Sequence, residues 1–231
     1  MAYTLKISIE GSRKPIIWRR VKVNNNITFE TLHYIIQTLF NWDNAHLYQF
    51  YRFPKNEPRL FIKTEKDMEF GREMGFVGDE DEDNNFDPND PMSVFLHSRR
   101  DIYKLVNKTL LSDILKKEKD YIIYEYDFGD SWEHKIVLEA IDDETLIYPI
   151  CIKGKGKTPP EDCGGIWGYQ AMLEVLKAGK PKTEVKNYKE WLSFCGYSFP
   201  WDENEFDINA INETLIIDAQ NNYEDFQLDF Q

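Results

Sequence analysis

The feature that most constrains this chain is the stretch from Tyr121 to Leu138, Tyr-Ile-Ile-Tyr-Glu-Tyr-Asp-Phe-Gly-Asp-Ser-Trp-Glu-His-Lys-Ile-Val-Leu. Ile122, Tyr124, Tyr126 and Phe128 alternate along a first arm, and Trp132, His134, Ile136 and Leu138 along a second. A period of two is that of strands with one buried side. The arms can share a core only if their apolar sets face the same way. A loop of Gly129-Asp130-Ser131 does this by pairing Phe128 with Trp132, Tyr126 with His134 and Tyr124 with Ile136. A loop one residue shorter would turn one set to solvent. Gly129 or Asp130 is expected to supply the positive φ of the turn. This register sends His134 into the core and sets Asp127 opposite Glu133 on the wet face, which argues against an Asp127–His134 dyad. Facing acids repel by only ~0.2–1 kcal/mol and invite a cation, with Lys135 the near candidate. In their bland role Asp127 and Asp130 hydrogen-bond their own loop.

A chain of 231 residues can bury roughly 70–75% of its unfolded surface, enough to fold without disulfide or metal support. The expected organisation is one domain over residues 1–217, with an acidic loop at about 78–91 and an acidic tail at 218–231. Acids outnumber bases 41 to 28, and the net charge of −13 disfavours binding to a phosphate backbone. Cys151, Cys163 and Cys195 cannot all pair with one another, and no secretory signal opens the chain, so reduced thiols in a cytoplasm are expected. No apolar run approaches the roughly 20 residues of a membrane helix.

In chain order, Tyr3, Leu5, Ile7 and Ile9 alternate as a strand, and Ile16 to Val23 follows as a second. Thr28 caps a helix whose Phe29, Leu32, Ile36, Leu39 and Phe40 recur at helical spacing up to Asn41. His33 lies on that apolar stripe and reads as a core histidine. Strands are expected at His46–Phe53 and Leu60–Lys63, a short helix at Thr109–Leu115, and a short strand ending near Tyr148. Pro149 to Gly165 reads as a loop. Helices follow around Tyr169–Leu176, closed by Gly179, and at Val185–Phe194, with Asp207 capping a last one.

Several motifs are near misses. Asp127-Phe128-Gly129 matches the kinase metal triplet without its companion motifs. Gly156-Lys157-Thr158 ends like a P-loop, but Cys151 stands where glycine is required and Pro159-Pro160 blocks the helix. Asp79, Asp81 and Asp83 have calcium-loop spacing, but Asn84 replaces the glycine and Asp90 the final glutamate. The cysteine spacing is no zinc signature, and neither a metal nor a cofactor is expected. Free amides at Gly164-Gly165 could hold an anion, with Glu161 or Asp162 the expected occupant.

Pro15-Ile16-Ile17-Trp18-Arg19-Arg20, Leu32-His33 with Trp42 and His46-Leu47, the hairpin itself, and Pro149 to Gly165 with Gly168-Tyr169 together resemble the plasmid pRiA4b Orf-3-like family. The resemblance extends to Glu190-Trp191 and Glu205-Phe206-Asp207 and covers most of the chain. It implies an α+β domain found on plasmids, near mobile elements and in chromosomes, and carries no activity with it. Relatives often have a cysteine where this chain has Lys157 or Thr158. The expected fold is α+β, a mainly antiparallel sheet with a central aromatic hairpin at about 121–138 and helices packed against it.

Two readings of function follow from the residues. The first is an interaction module for a protein partner, using Trp18, Trp132 and Trp167 with Arg19, Arg20 and His46. The second is a metal-assisted hydrolase whose candidates are Asp130, His134, Glu161 and Asp162, with His46, Asp130 and His134 as weak metal ligands. It requires the hairpin tip to fold against the Pro-Pro-Glu-Asp loop. A nucleic-acid accessory role, prompted by the mobile-element context that the resemblance implies rather than by charge, comes third.

Overall fold

The computed structural model describes residues 1–55, 57–74, 89–90 and 101–222; the acidic loop, its calcium-like spacing included, lies outside them apart from residues 89 and 90. The described elements run β1 (Ala2–Ile9), β2 (Trp18–Asn24), α1 (Phe29–Phe40), β3 (Tyr48–Arg52), β4 (Leu60–Lys63), α2 (Glu65–Glu73), β5 (Ile102–Leu105) and α3 (Leu111–Ile114). They continue β6 (Tyr121–Tyr126), β7 (Trp132–Asp142), β8 (Ile150–Lys155), α4 (Gly165–Ala178), α5 (Lys182–Phe194) and α6 (Ile208–Asn222). The strands form one eight-stranded sheet in the order β5-β4-β3-β6-β7-β1-β2-β8. Every neighbouring pair is antiparallel except β4–β5. This is the α+β architecture expected, with β6–β7 near its centre.

Alternation decides which side is buried. Leu5, Ile7, Val21, Val23, Ile122, Tyr124, Ile136 and Leu138 point inward and are sealed, whereas Lys6, Arg20, Ile123 and Lys135 point outward and stay half-exposed. Helix α1 covers the inner face. The Thr28 side chain accepts from the Thr31 amide, and Asn41, in the left-handed region at φ 50°, ends the helix. Phe29 packs edge-on to Phe50 with centroids 4.9 Å apart. His33 lies flat on Tyr48 at 3.5 Å, with Nδ1 at 2.8 Å from the Tyr124 hydroxyl and Nε2 at 2.8 Å from Asn44 Oδ1. It is a core histidine, as the stripe predicts. Burial holds its pKa down at about 4.

The hairpin keeps its faces but not its loop. Tyr126 pairs with Trp132, Tyr124 with His134 and Ile122 with Ile136, a slip of two residues from the expected register. A two-residue slip preserves side-chain parity, so the apolar pattern could not choose between the registers. What decides is Asp127. It turns left-handed at φ 56°, its amide donates to the Leu47 carbonyl at 2.9 Å, and its Oδ1 accepts from the Gly129 amide at 3.0 Å. That Asx turn ends β6 early, leaves Phe128 exposed, and puts the positive φ angles at Asp127 and Ser131 rather than at Gly129 or Asp130. Glu125, not Asp127, therefore faces Glu133. No cation bridges the pair among the described residues: Gln49 and Ser131 donate to Glu125, and the Tyr51 hydroxyl to Glu133. Lys135 instead lies over the Tyr121 ring at 5.0 Å.

The expected strand ending near Tyr148 does not form, and the expected loop begins with β8. The register between β2 and β8 shifts after Arg20, a bulge that hides the strand's alternation. Its outer edge is occupied: Asn212 of α6 accepts from the Cys151 amide at 2.7 Å and donates to the Cys151 carbonyl at 2.9 Å. A side-chain amide thus takes the place of a further strand. Asp207 caps α6 through the Asn209 and Ala210 amides, as expected. The helix continues to Asn222, with Ala219 buried and Thr38 donating to Asp218 at 2.6 Å, and so runs into the stretch expected as a tail at 218–231, the rest of which lies outside the described residues. Among the described residues no helix is long and apolar enough to cross a membrane.

Candidate metal centre

Three loops meet at one end of the sheet: the turn after α1, the hairpin tip, and the Pro-Pro-Glu-Asp loop before α4. Buried groups hold them together. The Trp42 indole packs on Tyr126 at 5.1 Å and donates to the Pro159 carbonyl at 3.1 Å. The Tyr126 hydroxyl accepts from the Ala45 amide at 2.9 Å and donates to Glu161 Oε1 at 2.5 Å, while Glu161 Oε2 accepts from the Asp43 amide at 3.0 Å. Burial and the Glu161 carboxylate raise the Tyr126 pKa, so the hydroxyl stays a donor. At the tip, Asp130 Oδ2 accepts from the Gly164 amide at 3.0 Å. The Asp130 carbonyl lies where a side chain at Gly165 would project; Gly165 also has φ +64°, so only glycine fits there.

Arg19 anchors the same loop from beneath. It is buried and lies between Phe40 and Phe206, with centroid distances of 5.1 and 4.6 Å. Its Nε donates to the Leu39 carbonyl at 3.0 Å, Nη1 to the Lys155 carbonyl at 3.0 Å and Nη2 to Thr158 Oγ1 at 3.1 Å. Desolvation lowers its pKa to about 10, which leaves it charged at neutral pH.

What these contacts assemble is His46, Asp127 and Asp162, whose donor atoms all lie within 4.8 Å of one another. His46 Nδ1 is 3.7 Å from Asp127 Oδ1, and its Nε2 is 3.4 Å from Asp162 Oδ1. Neither contact meets the geometry of a hydrogen bond, so the three donors face one another across a gap. Asp127 is nearly buried and Asp162 exposed, which gives the cluster a fixed side and an open one. Asn44, Asp127 and Asp162 all hold left-handed backbone, at φ 56°, 56° and 57°. Such conformations cost non-glycine residues roughly 1–3 kcal/mol and concentrate at working sites. A cleft of about 350 Å³ adjoins Asp162, lined by Cys163, Glu184, Asn187, Tyr188 and Trp191. Burial and the nearby Asp130 push the Cys163 thiol up to about 12, so it is no thiolate nucleophile.

The family model for plasmid pRiA4b ORF-3-like proteins matches residues 1–210. The chain belongs to that family. Within reach of the pRiA4b ORF-3-like proteins it is similar to an uncharacterised protein, y4hQ, from Sinorhizobium fredii, 31% identical over 215 residues, 91% of this chain and 89% of the relative. It is also similar to the crystal structure of a protein of unknown function, MM3350, from Methanosarcina mazei Go1. That match has a TM-score of 0.64 at 32% identity and covers 90% of this chain and 96% of the other. The family thus fixes the fold and leaves the chemistry to the site.

In this pRiA4b ORF-3-like chain the sequence candidates separate. His46 and Asp162 enter the cluster. Glu161 and Asp130 border it, but their oxygens are engaged by Tyr126, Asp43 and Gly164, so they position loops. Asp130, not Glu161 or Asp162, occupies the Gly164 amide. His134 is corrected as a catalytic or metal candidate: it is fully buried, Nδ1 lies 3.0 Å from the Trp132 carbonyl, and burial depresses its pKa to about 3. Trp132 and Arg19 are corrected as partner-binding residues, because both are sealed in the core. Trp18 and Arg20 stand on the open sheet face, where Arg20 pairs with Glu139, and Trp167 is 80% exposed. Asp127 was missed as a site residue. Its place depends on β3 pairing with β6, Tyr48 opposite Tyr126, which sets the residues before Tyr48 beside those after Tyr126. No local signal names that partner strand.

Proposed function

We propose that this protein binds a divalent cation through His46, Asp127 and Asp162 and hydrolyses an acyl bond presented from the adjoining cleft. The observation that carries this is the convergence of one imidazole and two carboxylates within 4.8 Å at the end of three independently braced loops. One nitrogen and two oxygen donors suit Zn²⁺ or Mn²⁺ better than Ca²⁺. Tetrahedral zinc with bonds near 2.0–2.1 Å places its donors about 3.4 Å apart, and one ring nitrogen of His46 with one oxygen of each aspartate lies within 4.8 Å, so the exposed Asp162 has only to close in on the ion. His46, Asp127 and Asp162 would hold the ion with one side open to water, and the chemistry such an ion would supply there is activation of that water and polarisation of a carbonyl.

The chain's own groups set the substrate. Tyr188 and Trp191 offer an apolar wall and Asn187 a polar contact, while Glu184 and Asp162 make the cleft acidic. An acidic cleft repels phosphate and carboxylate groups, so neutral or cationic esters and amides are favoured. Titration calorimetry with Zn²⁺ and with Mn²⁺ tests the binding step, and a panel of neutral and cationic esters and aminoacyl amides, with and without chelator, tests the chemistry. Micromolar binding that His46→Ala and Asp162→Asn abolish supports the reading. Binding weaker than about 1 mM, or unchanged in both variants, overturns it.

A further inference from the structure

We infer that the open face of the sheet is a platform for single-stranded nucleic acid. The helices that bury the core lie on the inner side, and the outward positions of the strands are half-exposed. Strand pairing aligns these positions into a row across the sheet. Its first half is three rings and an isoleucine: Tyr103 lies beside Phe61, Phe61 beside Tyr51, and Tyr51 beside Ile123. Its second half runs from Lys135 past Ser8 to Trp18 and Lys155. The next row carries Lys6, Arg20 and Lys153 side by side. With strands about 4.8 Å apart, Trp18 stands roughly 19 Å from Tyr51, a span of several nucleotides.

Rings and cations are interleaved. Phe61 and Tyr103 stack at 5.3 Å, and Phe53 stacks on Tyr51 at 4.8 Å. Lys63 and Arg59 lie 5.7 and 5.8 Å from the Phe61 ring, and Arg20 and Lys6 lie 5.1 and 5.5 Å from Trp18. Arg20 and Arg59 are held by Glu139 and Asp101, which leaves Lys6 and Lys63 beside the rings; aromatic faces to stack on unpaired bases, with such cations for the backbone, are the two requirements of sequence-tolerant single-strand binding. A duplex keeps its bases stacked on one another and cannot use the rings. Charge supports the same occupant. Although the chain carries −13 overall, Lys135, Lys153 and Lys155 take part in no ion pair among the described residues. Glu125 and Glu133 stand together at the tip end of the face, which repels phosphate and directs a strand along the two upper rows.

This platform uses none of the three proposed metal ligands. The test is fluorescence anisotropy of a labelled oligothymidylate of about fifteen nucleotides with the full chain at about 50 mM salt. The expected result is saturable binding whose log affinity falls against log salt with a slope of about −2, as three phosphate contacts to a single strand require. Lys153→Glu with Lys155→Glu, both at the surface, should weaken it at least about tenfold with unchanged circular dichroism, and Phe61→Ser should weaken it with an unchanged salt slope. His46→Ala should leave it intact. No binding at about 100 μM protein, equal binding of the duplex, equal binding of polyglutamate, or indifference to both sets of substitutions would each overturn the inference.

Discussion

His134 and His46 stand a few strands apart and have opposite fates. The ring of His134 is enclosed by Phe40, Trp42 and Tyr124, with a backbone carbonyl at its Nδ1. His46 is half-exposed, touches Tyr126 edge-on, and turns each ring nitrogen toward a carboxylate that it does not reach by a hydrogen bond. The first environment removes the proton and fixes a shape; the second offers a lone pair to something from outside. A histidine's role is thus set by what its two nitrogens meet, and here the aromatic core closes around one ring while the loop end leaves the other open, a division between stability and the proposed chemistry.

The strongest challenge to that division is Trp132→Ala. Removing so large a sealed ring should cost about 3–5 kcal/mol in urea unfolding, and the proposed metal site should disappear with the fold because Trp42 packs between the two. His46→Ala should leave the urea midpoint nearly unchanged. If His46→Ala proved as damaging as Trp132→Ala, the division would fail.

Acid separates the two regions next. Burial holds His33 at about 4 and His134 at about 3, against an ordinary value of 6.5 in the unfolded chain. Between those values the unfolded state binds more protons, so stability is complete above about pH 6.5 and falls as the pH drops toward 4 and below, by an amount on the order of a few kcal/mol. Chemical denaturation at pH 7, 5.5 and 4.5 measures it. A His134→Leu variant, if it folds, should show a shallower fall; an identical one would show that folding does not depress the pKa of His134.

Asp127→Asn sharpens the contrast at the loop end. It keeps the shape of the Asx turn and removes a charge, so metal affinity in calorimetry should fall about 10–100-fold or more while thermal stability changes little. The smallest effect is expected of Asp162→Gly, which frees a left-handed residue at φ 57° and should gain up to about 1 kcal/mol without metal while losing the binding. A stability loss there would show that the aspartate supports the fold.

Much of the core half was legible. Alternation in β1, the Thr28 cap, the stripe that buries His33 and the facing that buries His134 are local patterns, and local patterns are what a sequence displays. The loop end was legible only as a list of residue types. The hairpin slip that exposes Phe128 preserves parity, so periodicity could not see it. A bulge concealed β8, and Asp127 meets His46 only because β6 pairs with β3 on its far side. Distances between loops are decided by strand partners, and strand partners are decided by the whole core.

One small contact carries a wider meaning. Through Asn212, helix α6 offers the rim of the sheet both halves of a peptide group and then stops. The sheet is thereby finite by construction at β8: a ninth strand from another molecule would have to displace a side chain that already supplies what it brings. A copy of this chain approaching that rim would find the place at Cys151 already taken, and a descendant that lengthened the sheet there would first have to give up the docking of its last helix.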